Sequence, residues 1–253
     1  MPGRKKHSGS PDQVEGRNPV LEALRGPREV FEIYLASAAD RSGEIHEILR
    51  LAVIESVPVK DASRQRIDAM ARTSAPQGVI AKVSPYEYLD LAELLQRISA
   101  AESPLVLALD GVEDPQNLGA LLRVADTAGV DAVVIPGRSS AGVTPVVAKA
   151  SAGAVEHVTL AQVSSLPAAL ERLKSQGLQV AGAEAGGDLP YYDLDMTVPF
   201  AVVLGGEGKG LGRLVREKCD VMVSLPMRGH VSSLNVATTG AVLLFEALRQ
   251  RAK

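Results

Sequence analysis

What most limits the fold of this 253-residue chain is a set of short apolar runs: "PLVLALD" from 104, "DAVVIP" from 131, "LQVAGA" from 178 and "FAVVLGG" from 200. A strand wetted on one face alternates polar and apolar residues. A run that hardly alternates belongs to a strand covered on both faces, as in parallel sheets. Between and after these runs come "VMVSLP" from 221 and segments with helical apolar spacing, near Asn117–Ala128, 165–176, 211–218 and Asn235–Arg251. Alternating strands and helices predict an α/β domain with a mostly parallel sheet and helices on both faces. In such sheets ligands sit at the carboxyl ends of the strands.

The N-terminal third reads differently. "NPVLEALRG", "EVFEIYLA", "SGEIHEILRLAVIES", "VPVKDA", "RQRIDAMARTS" and "QGVIAKVS" alternate as short helices and strands and predict a small α/β unit over 14–85. Residues 86–102 carry helical spacing through Leu89, Leu91, Leu94, Leu95 and Ile98 and read as a linker to a domain over 103–253. Residues 1–13, "MPGRKKHSGSPDQ", read as a disordered basic arm; with no apolar segment of signal-peptide type they predict a cytoplasmic protein. No apolar stretch reaches 18 residues, so no membrane span is expected. Cys219 stands alone, which excludes an internal disulfide and a cysteine metal cluster and leaves a structural role; no metal is expected.

A net charge of −3 discourages a generally basic nucleic-acid binder. The distribution is uneven, since residues 1–85 carry 13 Lys and Arg against 11 Asp and Glu, while 86–253 carry 14 against 19. A phosphate backbone would meet local arginines rather than a broad positive face.

Three strand ends carry polar sets: "DGVEDPQNLGALLR", "LGGEGKGLG" and "LPMRGHVSSLNVA". In the first, Asn117 reads as a helix N-cap, and at about 100° per residue Arg123 falls opposite the apolar side beside small residues. In the third, Ser232, Ser233 and Asn235 precede the last helix, where capping needs only one of them. The second packs five glycines into nine residues yet fits neither the Walker A pattern, since Lys209 is followed by Gly210, nor the dinucleotide pattern. Its glycines allow close approach of backbone to a ligand, and Glu207 adds an acceptor. Taken singly, each residue also has a plain reading: a surface ion pair, a cap, an exposed loop acid.

In order and spacing, "DPQNLGALLRVADTAG", "FAVVLGGEGKGLG" and "VSLPMRGHVSSLNVATTGAVLLFE" resemble the three motifs of the SpoU/TrmH family of RNA ribose 2'-O-methyltransferases, within the knotted SPOUT group. "EGRNPVLEAL" and "QGVIAKV" resemble the small ribosomal-protein-like RNA-binding domain of members acting on large-subunit ribosomal RNA. One departure is Pro76 before "QGV", where many relatives have His. The resemblance implies a trefoil-knotted methyltransferase domain, a homodimer paired through it, and S-adenosylmethionine held near Gly205, Leu225, Met227 and Leu234. It implies a catalytic set of Asn117, Arg123, Glu207, Ser233 and Asn235, with 23S ribosomal RNA, at a guanosine, as substrate. Arg17, Arg64, Arg66 and Arg72 are candidate contacts to RNA phosphate.

Methyl transfer to a hydroxyl requires that the oxygen be positioned and lose a proton. A guanidinium does not readily surrender its own, so Arg123 is better suited to hold a phosphate and stabilise the developing alkoxide, with proton loss late or relayed through phosphate or water. Neighbouring readings are methylation of transfer RNA, a ribosomal methylation linked to antibiotic resistance, and a non-catalytic ribosome-assembly protein. A hydrolase built on Ser233, His230 and Asp110 lacks the G-x-S-x-G elbow.

Overall fold

The computed structural model describes residues 10–37 and 43–252, so most of the predicted N-terminal arm lies outside the described residues. The chain forms two compact units. One runs to Glu87 and also takes in Val143–His157; the other holds Tyr88–Gly142 and resumes at Val158.

The first unit comprises β1 (Asp12–Glu15), α1 (Arg17–Arg25), β2 (Val30–Ala36), α2 (Glu44–Ile54), β3 (Val59–Ala62), α3 (Arg64–Met70) and β4 (Val79–Val83), with sheet order β1-β4-β2-β3. Strand β1 begins inside the stretch read as an arm and pairs antiparallel with β4, Asp12 opposite Val83. No apolar run announces it, because Gln13 and Glu15 are buried polar residues. The Glu15 carboxylate accepts from the Arg72 and Thr73 N–H groups at 2.6 and 3.0 Å and from the Thr73 hydroxyl at 2.6 Å, which offsets its desolvation. Helix α3 is capped by Ser63, whose hydroxyl accepts from Arg66 N–H, and it buries Ile67 against Tyr34, Ala36, Ala62 and Ile80.

The second unit comprises α4 (Leu91–Ile98), β5 (Leu105–Asp110), α5 (Pro115–Thr127), β6 (Ala132–Pro136), β7 (Leu160–Val163), α7 (Leu166–Ser175), β8 (Gln179–Ala183), β9 (Leu189–Pro190), β10 (Phe200–Gly205), α8 (Arg213–Arg216), β11 (Val221–Ser224) and α9 (Val236–Arg251), while α6 (Pro145–Ala150), between β6 and β7 in the chain, belongs to the first. Its seven strands follow the order β7-β6-β5-β10-β8-β11-β9, and every pairing is parallel. The apolar runs are the fully buried strands: Val106, Leu107, Ala108 and Leu109 of β5 and Val203 of β10 are all inaccessible. The segment read as a linker is part of this core, since α4 packs Leu94, Leu95 and Ile98 among Val163, Leu170 and Leu173. Register decides where the chemistry sits, because Gly205 at the end of β10 lies opposite Asp110 at the end of β5.

Candidate active site

Past Gly205 the chain folds back on itself and is tied at both ends to one residue. Gly206 N–H donates to the Asp110 carbonyl at 2.7 Å, Gly210 N–H to the Gly206 carbonyl at 3.1 Å, and Gly212 N–H to Asp110 Oδ2 at 2.7 Å. The glycines are required by space: a Cβ on Gly205 would stand 2.2 Å from the Gly210 carbonyl carbon, and one on Gly206 2.1 Å from the Gly111 oxygen. Asp110 as this brace was missed in the sequence; its signal was a carboxylate at the carboxyl end of a buried strand. With that carboxylate committed to Gly212, no hydrogen bond among the described residues joins it to His230, and no hydrolase triad forms.

Helix α5 starts earlier than the motif suggests. Asp114 is its N-cap, accepting from Gln116 N–H at 3.0 Å, and Pro115 holds the first helical position. Asn117 is therefore not a cap; it lies in the first turn, buried, with its side chain free for another task. That task is to meet Asn235, the N-cap of α9. Asn235 Oδ1 accepts from the Ala237 and Thr238 N–H groups, at 2.8 and 3.4 Å, which leaves its Nδ2 to donate to Asn117 Oδ1 at 2.9 Å and to Glu207 Oε1 at 2.7 Å. One amide thus joins residues 118 and 28 positions apart in sequence. Ser232 and Ser233 take no part in the cap.

Two cavities flank this junction. The larger, about 710 Å³, is lined by Gly205, Leu225, Met227 and Leu234, with Ser233, Glu207 and Asn235 also on its wall. The smaller, about 500 Å³, is lined by Asp110, Glu113, Asp114, Asn117 and Ser139, and it too reaches Glu207. Gly206, Glu207, Lys209 and Gly210 form a wall common to both. Arg123 is exposed on α5 and lines neither, and among the described residues its guanidinium has no hydrogen-bond or ion-pair partner. Four of the five expected catalytic residues are thus brought together, and Arg123 stands apart.

In the first unit, Arg17 and Arg64 line one cavity of about 820 Å³ with Asn18 and Gln77. Each has an acidic neighbour, Glu44 at 4.0 Å and Asp68 at 3.9 Å, in exposed pairs of little energetic weight. Arg66 lies elsewhere, its guanidinium 5.4 Å from the Tyr34 ring centre. The Arg72 N–H is held by Glu15, and burial, then the charge of Arg72, pushes the Lys82 ammonium below its usual range. Burial raises the Cys219 thiol to about 11, in line with a structural rather than a reactive cysteine. Among the described residues no three His, Cys, Asp or Glu side chains gather to hold a metal ion. Nor is any described helix long and apolar enough to cross a membrane.

With the glycine loop and the Asn235 junction in place, comparison with known proteins decides the family. The pattern of the SpoU rRNA Methylase family matches residues 104–245, and that of the RNA 2'-O ribose methyltransferase substrate binding domain matches 13–89. The chain belongs to the SpoU family. A relative from Bacillus subtilis strain 168, YacO, named to the TrmH family of tRNA/rRNA methyltransferases, is 39% identical over 95% of this chain and 96% of its own. The SpoU methyltransferase AviRb from Streptomyces viridochromogenes, solved in complex with S-adenosylmethionine, superposes with a TM-score of 0.79 at 26% identity, covering 96% of this chain and 91% of that one. A solved RNA 2'-O ribose methyltransferase gives 0.80 at 27% identity, over 97% and 91%.

The protein is accordingly an RNA methyltransferase of the SpoU/TrmH family that uses S-adenosylmethionine. Its larger cavity fits that molecule. The volume suits a nucleoside-sized ligand. Met227 and Leu234 stand 39% and 43% exposed on its wall and offer apolar surface to an adenine, while Glu184 and Glu207 offer carboxylates to hydroxyl and cationic groups. When bound, S-adenosylmethionine supplies the electrophilic methyl group. The chain's own part is to hold the acceptor in line with it and to exclude competing water.

Proposed function

We propose that this SpoU-family enzyme methylates the 2'-hydroxyl of a ribose, at a guanosine, in 23S ribosomal RNA. The observation that carries the reading is the pair of cavities meeting across Gly206, Glu207, Lys209 and Gly210. One has the size and lining for the methyl donor, and the other, rich in acceptors, has room for a nucleoside beside it. Asn117, Glu207, Ser233 and Asn235 then line the reacting centre. Arg123, an exposed cation outside both cavities, holds the RNA phosphate next to the target and stabilises charge developing on the oxygen.

Docking falls to the first unit, with Arg17 and Arg64 at one cavity and Arg66 and Arg72 as further phosphate contacts. The match of this unit to a substrate-binding domain, and of the other to a family named for ribosomal RNA, favours ribosomal over transfer RNA. Such a substrate puts the enzyme's work in the cytoplasm. The chain acts as a homodimer through its C-terminal region, where Phe245 and Leu248 of α9 are 48% and 37% exposed, and that region is threaded as the family's trefoil knot. Mass-spectrometric mapping of 2'-O-methylated nucleotides in RNA from deletion and complemented strains tests the reading. A mark lost from 23S RNA is expected; a mark lost only from transfer RNA replaces the ribosomal assignment.

A further inference from the structure

We propose that a shallow cavity on the sheet of the first unit, walled by Phe31 and Lys82, holds an unpaired nucleotide of the RNA substrate, its base against the ring and its phosphate on the ammonium. The inference rests on the reading above that this unit docks RNA, and it adds a contact apart from the cavity of Arg17 and Arg64.

The aromatic wall comes from an irregularity in the strand. Along β2, Val30 stands opposite Val83 and Glu32 opposite Lys82, so Phe31 is the extra residue of a bulge. In an unbroken strand it would share the face of Ile33 and Leu35, which are buried. A bulge re-aims a side chain. Phe31 is exposed instead, and it lines a cavity of about 270 Å³ with Pro11, Glu32 and Lys82. Tyr34 is buried and Tyr86 half-buried, which leaves Phe31 as the exposed Phe or Tyr ring among the described residues of this unit.

Lys82 is held in place by a buried amide. Gln13 Nε2 donates to Glu15 Oε1 at 2.7 Å and to the Met70 carbonyl at 2.8 Å, so its oxygen is what remains for Lys82, whose Nζ donates to it at 2.5 Å. An ammonium has three protons. The other two have no partner among the described residues. Glu32, the carboxylate on the same wall, is already occupied, since Lys60 donates to its Oε2 and the Tyr34 hydroxyl to its Oε1 at 2.7 Å. Burial, then the charge of Arg72, holds the Lys82 ammonium below its usual range, and an incoming anion would relieve both. A cation beside an exposed ring suits single-stranded nucleic acid, with the base on the π-face and the backbone on the charge. A paired base has its faces covered by its neighbours, so only an unpaired one can use the ring. Stacking asks for no particular base, and the contact positions the RNA rather than reading its sequence.

Phe31→Leu keeps apolar bulk at the bulge and removes the π-face. The full-length chain is assayed with labelled S-adenosylmethionine and RNA from a strain lacking the enzyme, with ribosomal and transfer fractions kept apart so that KM is read on whichever accepts methyl. Phe31→Leu is expected to raise the KM for RNA about 5–150-fold with kcat and Tm held, and Phe31→Tyr to restore it. Lys82→Gln should weaken binding and flatten its salt dependence. A Leu variant within about twofold of wild type, or a rise in KM that Tyr does not reverse, overturns the proposal. Binding of a short labelled oligouridylate and of a blunt RNA duplex of the same length gives a second measurement. The Leu variant should lose affinity for the single strand alone, and equal losses on both overturn the stacking site. Arg17→Ala combined with Arg64→Ala tells the two readings apart. A KM raised by that pair but not by Phe31→Leu sinks only this site, whereas a KM moved by neither sinks docking by the first unit and this inference with it.

Discussion

Two excursions leave the carboxyl ends of strands in the same parallel sheet and solve the same problem in opposite ways. After β10, residues 206–212 curl back and are satisfied almost at home, by one another and by Asp110 on the neighbouring strand. After β6, residues 143–157 leave the unit and are satisfied by the other one. There Lys149 Nζ donates to the Ala75 carbonyl at 2.5 Å, the exposed His157–Glu22 pair closes to 2.7 Å, and Arg28 meets the fully buried Glu156 side chain at 3.1 Å. A glycine loop braced within its own sheet is sensitive to single atoms. A borrowed segment is sensitive to the loss of its host.

The largest effect expected from this contrast follows truncation to residues 88–253. That chain keeps the glycine loop and its brace but strips cover from Val147, Ala148 and Val155, all inaccessible in the intact protein. Exposing the two valines costs about 1.5–3 kcal/mol each, and Glu156 loses Arg28. The fragment is expected to aggregate or to melt well below the parent. Replacing 143–157 by a short Gly-Ser linker in the same fragment should restore a soluble fold that binds S-adenosylmethionine, as read by thermal melting with and without the cofactor. Equal stability of the two fragments would mean that the segment stands without its host.

Gly206→Ala perturbs the other excursion. The added carbon would collide with the Gly111 carbonyl oxygen at 2.1 Å, between backbone segments that cannot give. A loss of about 3 kcal/mol in urea unfolding is expected for such overpacking, along with loss of cofactor binding. Full affinity in a stable variant would show that the loop does not set the cavity.

How much of this was legible follows the same division. The β10 loop could be read because glycine is the only residue that allows such approach, and the sheet because its strands are buried on both faces. Segment 143–157 was opaque: "TPVVAKASAGAVEH" has too few residues to display helical periodicity, and nothing in it records that its partners are Glu22, Arg28 and Ala75. Strand β1 was hidden for a related reason, since the backbone donors that make Glu15 acceptable there lie 57 and 58 residues away. At the site, residue types pointed to Asn117, Glu207 and Asn235 through a family resemblance. Only coordinates reveal that a single amide joins them, that Asp114 rather than Asn117 caps α5, and that Arg123 lies outside both cavities.

A smaller effect is expected at the junction. Asn235→Ala removes the cap of α9 at a cost of about 1 kcal/mol and releases Glu207 and Asn117 together. Methyl transfer should fall far more than stability does. Ser232→Ala, next to it but outside the cap, should stay within about 0.5 kcal/mol of wild type. Urea unfolding and single-turnover rates on both variants check this, and equal losses in the two would remove Asn235 from the role of organiser.

The smallest effect is a change of slope rather than of size. Burial pushes the Glu156 carboxyl above its usual 4.5, against the opposing pull of Arg28, and its Oε2 is buried with no hydrogen-bond partner among the described residues. A group whose folded pKa is raised binds its proton more tightly in the folded state. Its contribution is therefore fully favourable below the unfolded value and is lost as pH rises through the folded one. Against Glu156→Gln, which cannot titrate, wild type should be most stable in relative terms below pH 4.5 and should lose ground steadily as pH rises from there through the elevated value. The host side of the contact predicts the same sign, because Arg28 also donates to Asp12 at 3.1 Å and to the Ser84 carbonyl at 3.0 Å and does not depend on Glu156 alone. Paired urea titrations of the two proteins from pH 4 to 8 read the slope directly. A stability difference that is flat across that range, or that turns in favour of wild type at high pH, would show that Arg28 outweighs burial and that the borrowed segment is held by a true ion pair.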